Sequence, residues 1–219
     1  MRYLLIILSI FFTACNYTAT EDTINAQPAT DSLVEVKLVD SLGSVTLTIP
    51  KRYDTLFSWT QQSDCGKPCN KIKYRFQPRS LRITKESGFL WLGEPKDSID
   101  RFTISHSGYF PFHEKADSIL IFTYHHHEIL NIVQHPDTYK IKKDTVEKIG
   151  DRYFSIITID LYDTAKSQFS KKLLAATSIK SNLLYFTFEL LTREKNEITD
   201  NFIQTSLDLL RTVRISNNK

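Results

Sequence analysis

The chain has 219 residues, 28 Lys/Arg against 25 Asp/Glu, a formal charge of +3, and is 41% hydrophobic, 24% charged and 12% aromatic. That is enough apolar material for one good core, and it excludes collagen-like, low-complexity and largely disordered chains. So small a positive surplus does not argue for nucleic acid.

Met1-Arg2-Tyr3 is a short basic start, and Leu4 to Phe12 is apolar apart from Ser9. Nine residues at 1.5 Å rise make roughly 14 Å of helix, about half a hydrocarbon core. The run therefore reads as the core of a secretory signal, not as a membrane span. It ends in Phe12-Thr13-Ala14-Cys15, which resembles a bacterial lipobox, with Phe12 where Leu is usual. The resemblance implies a signal peptide over 1–14 and fatty acylation of Cys15. It also implies a cell-envelope lipoprotein held to a membrane by its N-terminal lipid. An ordinary cleaved signal with an incidental Cys is the plainer alternative. The lack of Asp at position 16 favours the outer membrane of a Gram-negative bacterium. Residues 15–32 are polar and without apolar period, as a flexible tether is.

From residue 33 to 219 the chain reads as one domain. Leu33–Val39 and Ser44–Ile49 alternate apolar and polar residues, a hairpin turning through Asp40–Gly43. Tyr53–Thr60 is aromatic and extended. Lys71–Phe76 alternates strictly, Ile72, Tyr74 and Phe76 on one side and Lys71, Lys73 and Arg75 on the other, and Leu81–Thr84 continues the pattern. Phe89–Leu92 is a short apolar run. Residues 93–116 are the least regular, with a strand expected at Ile99–Ser105. Asp117 heads a helix in which Ile119, Phe122, His126, Ile129 and Val133 recur at 3-4-3-4 spacing, closed by Pro136. Its β-branched and aromatic content leaves a strand pair as the alternative. Arg152–Tyr162, Lys172–Ile179 and Leu183–Leu191 are three antiparallel strands. Thr199 or Asp200 then caps an amphipathic helix carrying Phe202, Ile203, Leu207, Leu210 and Val213.

This order predicts an α+β fold, an antiparallel β-sheet with helices packed on it. Val45-Thr46-Leu47-Thr48-Ile49-Pro50, the ending Asn182–Glu189, and Asn201-Phe202-Ile203 through Leu210–Ile215 together resemble the PsbP-like family. The resemblance covers most of 33–215. It implies an α/β/α sandwich and a small binding or assembly factor, and it brings no shared catalytic residues.

Four features carry chemistry. With Cys15 lipidated, Cys65 and Cys69 remain, an even pair in an oxidising compartment, which reads as a disulfide pinning a Gly- and Pro-containing loop. Cys-Gly-Lys-Pro-Cys also resembles the thioredoxin loop, but has three intervening residues where that has two and leads into a strand. In the run His125-His126-His127, His125 and His127 are candidate metal ligands, together with His135. On a strand His125 and His127 share a face, whereas on a helix consecutive His diverge by about 100°. The plainer reading is a polar helix face.

Lys67, Lys71, Lys73, Arg75, Arg79, Arg82 and Lys85 form a run with no acid. Such a stripe suits an anionic envelope ligand or an acidic partner protein. A solvated outer face or a charged edge strand is the reading the sequence favours.

Asp followed by Ser/Thr and then a small or aliphatic residue starts at eight of the fifteen Asp, among them Asp22 and Asp31. Usual residue frequencies give about one. The tripeptide resembles an O-glycosylation acceptor of envelope proteins, with Thr23 and Ser32 in the tether as weak candidates. Turn chemistry is the alternative.

No Gly-x-Ser-x-Gly elbow, Gly-rich phosphate loop or His-Glu-x-x-His is present. The sequence thus points to a non-enzymatic binding or assembly module needing no cofactor. A metal-binding protein using His125–His135 and a thiol-disulfide redox protein are the rivals.

Overall fold

The computed structural model describes residues 25–26, 31–39, 41–64, 66, 69–85, 98–107, 117–133 and 140–216. They form eleven strands and two helices: β1 (Asn25–Ala26), β2 (Ser32–Leu38), β3 (Gly43–Ile49), β4 (Thr55–Gln61), β5 (Lys71–Gln77), β6 (Ile99–Ser107), α1 (Asp117–Val133), β7 (Ile141–Ile149), β8 (Arg152–Asp163), β9 (Gln168–Ile179), β10 (Asn182–Thr192), α2 (Glu197–Thr212) and β11 (Arg214–Ser216).

Eight strands make one antiparallel sheet in the order β1-β4-β5-β6-β10-β9-β8-β7. Two meanders, β4-β5-β6 and β7-β8-β9-β10, meet where β10 pairs with β6, Phe186 opposite Ile104. The turns follow from local chemistry. Lys180 and Ser181 both take left-handed backbone (φ 48° and 62°), the twist a two-residue hairpin needs between Ile179 and Asn182. Gly150, at φ 63°, turns β7 into β8.

The inner face of this sheet carries a row of stacked rings. Phe102 lies 4.2 Å from Phe188 and 5.6 Å from Phe76, and Phe154 lies 5.8 Å from Phe186. A second sheet, β11-β3-β2, and α2 close over it. Val36, Leu38, Val45, Leu47 and Ile49 meet Phe202, Leu207 and Leu210 in the same cluster. The layers are tied across by polar bonds too. The Val39 N–H donates to Tyr74 Oη at 3.1 Å, and the Thr48 N–H to Thr212 Oγ1 at 3.0 Å. At one end of the sheet the fully buried Tyr53 donates to Asp100 (2.8 Å), which also pairs with Arg52 (3.1 Å).

The opposite, outer face carries α1, seated on β7, β8 and β9. Ile132 and Ile129 pack there against Ile157, Ile159 and Leu174. The alternation in β8 therefore buries both sides, Phe154 and Ile156 inward, Ile157 and Ile159 under the helix. An α+β fold, with two helices packed against a large antiparallel sheet system, is what the strand and helix patterns predict.

Several elements differ from the sequence reading. The segment 117–133 is a helix, but its buried stripe is rotated one residue from the expected one. Ile121 and Ile132 are buried, while Ile119 and Phe122 are 61% and 52% exposed. The apolar residues alone misplace the stripe because polar His125 faces the sheet, where Ser155 meets it. Leu81–Thr84 is not a strand: Pro78 has broken the ladder, and the segment folds back on β5. β7, whose charges mask its alternation, and the short β1 and β11 carry no strand signal of their own. β1 lies inside the segment read as a tether and pairs with Thr55 and Leu56. The cap of α2 is Asn196, whose side chain accepts from the Thr199 N–H at 3.0 Å, three residues before Thr199 and four before Asp200, the two expected to cap.

Candidate functional site

α1 covers one half of the outer face. On the other half, strict pairing lines up side chains from four strands. Trp59, Lys73, Ser105 and Tyr185 form one row, and Gln61, Lys71 and Ser107 the next. Lys71 is exposed, and Trp59, Lys73, Ser105, Ser107 and Tyr185 are half-buried. The cations lie against rings. Lys73 Nζ is 5.6 Å and the Arg75 guanidinium 4.6 Å from the Trp59 ring centre, and Lys71 Nζ is 5.9 Å from that of Tyr185. Such contacts draw ammonium and guanidinium groups onto the ring faces.

The border with α1 is aromatic. Tyr124 meets Tyr185 edge to face at 5.6 Å. Burial, and then the charge of Glu128, push both hydroxyls above the ordinary phenol range, so both stay protonated donors at any working pH.

The basic stripe is thus split in role. Arg75 is buried, and this corrects the solvated-face reading. Its guanidinium donates to Thr103 Oγ1 at 3.2 Å and to the Thr84 carbonyl at 2.9 Å. Gln77 Nε2 likewise donates to the Leu81 carbonyl at 3.0 Å. These bonds clamp 81–85 onto the sheet. Alternation assigns Arg75 its side correctly, but nothing local reveals that a later segment covers it. Arg79, Arg82 and Lys85 are exposed along that segment. No local sequence signal marks Trp59, Tyr185 and Ser105, because they join the site only through the pairing of β4 with β5 and of β6 with β10.

Next to this face Cys69 is disulfide-bonded. Its loop is tied by the Gly66 N–H donating to the Ser63 carbonyl (2.9 Å) and the Cys69 N–H to the Gly66 carbonyl (3.0 Å). Strand β5 follows directly, and among the described residues no helix starts at Cys69, as thiolate chemistry of the thioredoxin kind uses.

His125 turns toward the sheet, with Nδ1 2.9 Å from the buried Ser155 Oγ. His126 and His127 are exposed on the turn beyond, their rings 6.3 Å apart. The helix thus separates His125 from His127, and among the described residues no three His, Cys, Asp or Glu converge as a metal ion needs.

Ser32 is the half-buried first residue of β2, and the preceding Asp31 accepts the Lys51 N–H at 2.9 Å. Asp54 and Asp163 likewise accept backbone N–H groups, from Arg79 (2.6 Å) and Lys166 (3.1 Å). Only the Asp163 bond is turn chemistry; those of Asp31 and Asp54 join segments 20 and 25 residues apart in the chain. Cys15, Cys65, Thr23, His135 and Phe89–Leu92 lie outside the described residues. The chain matches no protein-family model and no curated protein.

Proposed function

We propose that this chain is a lipid-anchored cell-envelope protein. In this reading its PsbP-like α/β/α domain is a non-enzymatic binding module for an anionic envelope ligand. The anchor is Cys15 at the end of the lipobox-like leader, and a Cys65–Cys69 bond pins the loop beside the binding face. The observation that carries the binding part is the row of cations set against rings. Lys71 and Lys73 lie over Tyr185 and Trp59 on the half of the outer sheet face that α1 leaves aside. A strand that served only to shield a sheet edge would sit at the edge, whereas β5 lies inside the sheet, between β4 and β6.

The test is site-specific photocrosslinking in the native envelope. A photoreactive residue at Ser105, in the middle of the row, captures an acidic envelope component, and one at Thr123, exposed on α1, does not. The C15S variant leaves the membrane fraction and loses the crosslink. Equal capture from both positions refutes the binding face, and a C15S chain that keeps its fatty acylation refutes the anchor.

A further inference from the structure

Beyond Lys71 the outer face runs into a cleft. Gln61, Gln62, Ser63, Asp64, Cys69 and Lys71 line a space of ≈ 260 Å³ at the end of the β4–β5 hairpin. Its rim is fixed. Asn70 accepts the Ser63 N–H and donates to Gln62 Oε1, both at 2.9 Å, and Cys69 is held by its disulfide. Three of the side chains that line the space are uncommitted. Among the described residues the Gln61 amide, the Asp64 carboxylate and the Lys71 ammonium make no hydrogen bond or ion pair.

A ligand that engages these three side chains therefore breaks no existing bond of theirs. The chemistry selects the ligand. Two amides and a hydroxyl both donate and accept, as a polyol requires. A carboxylate accepts from two neighbouring hydroxyls at once. Asp64 repels a bare anion, and a neutral sugar leaves Lys71 without a counter-charge. Among the described residues the lining side chains are polar or charged apart from that of Cys69, which is little for an acyl tail to rest on. The volume is at the small end of ligand sites, which run to about 300–1,000 Å³, and so fits one ring and not a chain.

We infer that the cleft takes one sugar unit of an anionic glycan. The sugar hydroxyls sit among Gln61, Gln62 and Asp64, and a carboxylate or phosphate sits at Lys71 beside the Tyr185 ring. The inference rests on the reading of the outer face as an anion-binding surface.

Calorimetric titration of the mature full-length protein in detergent tests it. The probes are trigalacturonate, glucose 6-phosphate, maltotriose and inorganic phosphate, with phosphatidylglycerol vesicles as a separate arm. Trigalacturonate or glucose 6-phosphate, according to whether the natural anion is carboxylate or phosphate, binds at least tenfold more tightly than maltotriose and inorganic phosphate. D64N and Q61A each lose at least tenfold for that sugar without change in vesicle binding, and K71Q weakens both. Asp64 is exposed and without partners, so D64N folds as the parent does. Maltotriose or inorganic phosphate binding as tightly as the acidic sugars overturns the inference, as does a silent D64N. Vesicle binding with no sugar binding overturns the inference and leaves the anion-binding face standing. No binding to any probe overturns both.

Discussion

Glu189 sits on the outer face of β10 between two cations, Arg101 Nε at 2.5 Å and Lys172 Nζ at 3.0 Å. Burial pushes its carboxyl up, but the two cations outweigh that and hold it at about 2, below its ordinary value of 4.5. A carboxyl depressed in the folded state contributes stability at pH values above 4.5 that is lost as pH falls through about 2. E189Q removes the carboxylate that pairs with both Arg101 and Lys172, which costs about 3–5 kcal/mol in urea unfolding at pH 7. The deficit relative to the parent shrinks between pH 4.5 and 2, and a constant deficit across that range would refute the assignment. Asp100 behaves oppositely: burial raises its pKa, and Arg52 and Tyr53 only partly offset it. Neither ion group is readable from the sequence, where Glu189 and Arg101 stand 88 positions apart and meet only because β6 lies beside β10.

At the scale of elements, α1 offers a clean comparison. I121A or I132A removes a buried side chain from the helix–sheet contact and costs about 2–4 kcal/mol. I119A and F122A, on the face the apolar spacing alone selects, cost under about 1 kcal/mol. Urea denaturation of the four variants decides between the two stripes, and equal losses would refute the observed orientation. The contrast with α2 shows why one helix was legible and the other only half so. In α2 the apolar positions Phe202, Leu207 and Leu210 pack into the main apolar cluster. In α1 the covered sheet surface includes Ser155 and Tyr185, so His125 and Tyr124 belong on the buried side, and pattern counting places them outside.

For the whole molecule the layering sets where stability lies. β6, β9 and β10 are paired on both edges, with β6 and β10 under the aromatic row and β9 covered on both faces, whereas β7 is an outermost strand of the same sheet. Amide exchange is therefore slowest through Ala175, Phe186 and Phe188, and fastest in β1, with β7 opening before the global transition. A β7 that exchanges only by global unfolding would contradict this order.

The sequence by itself determined the long regular elements: the β2–β3 hairpin, the β8-β9-β10 meander, both helices and the α+β class. It also determined that Lys71, Lys73 and Arg75 share one side of β5. Each of these is written in the period of neighbouring residues, which a strand or helix converts directly into a face. Only the tertiary structure decided which of those cations is buried. It alone paired Trp59 and Tyr185 with them, turned His125 inward, and brought Gln61 and Lys71 together around the cleft. Those relations depend on which strands lie side by side and on what folds back over them, and no local period records that.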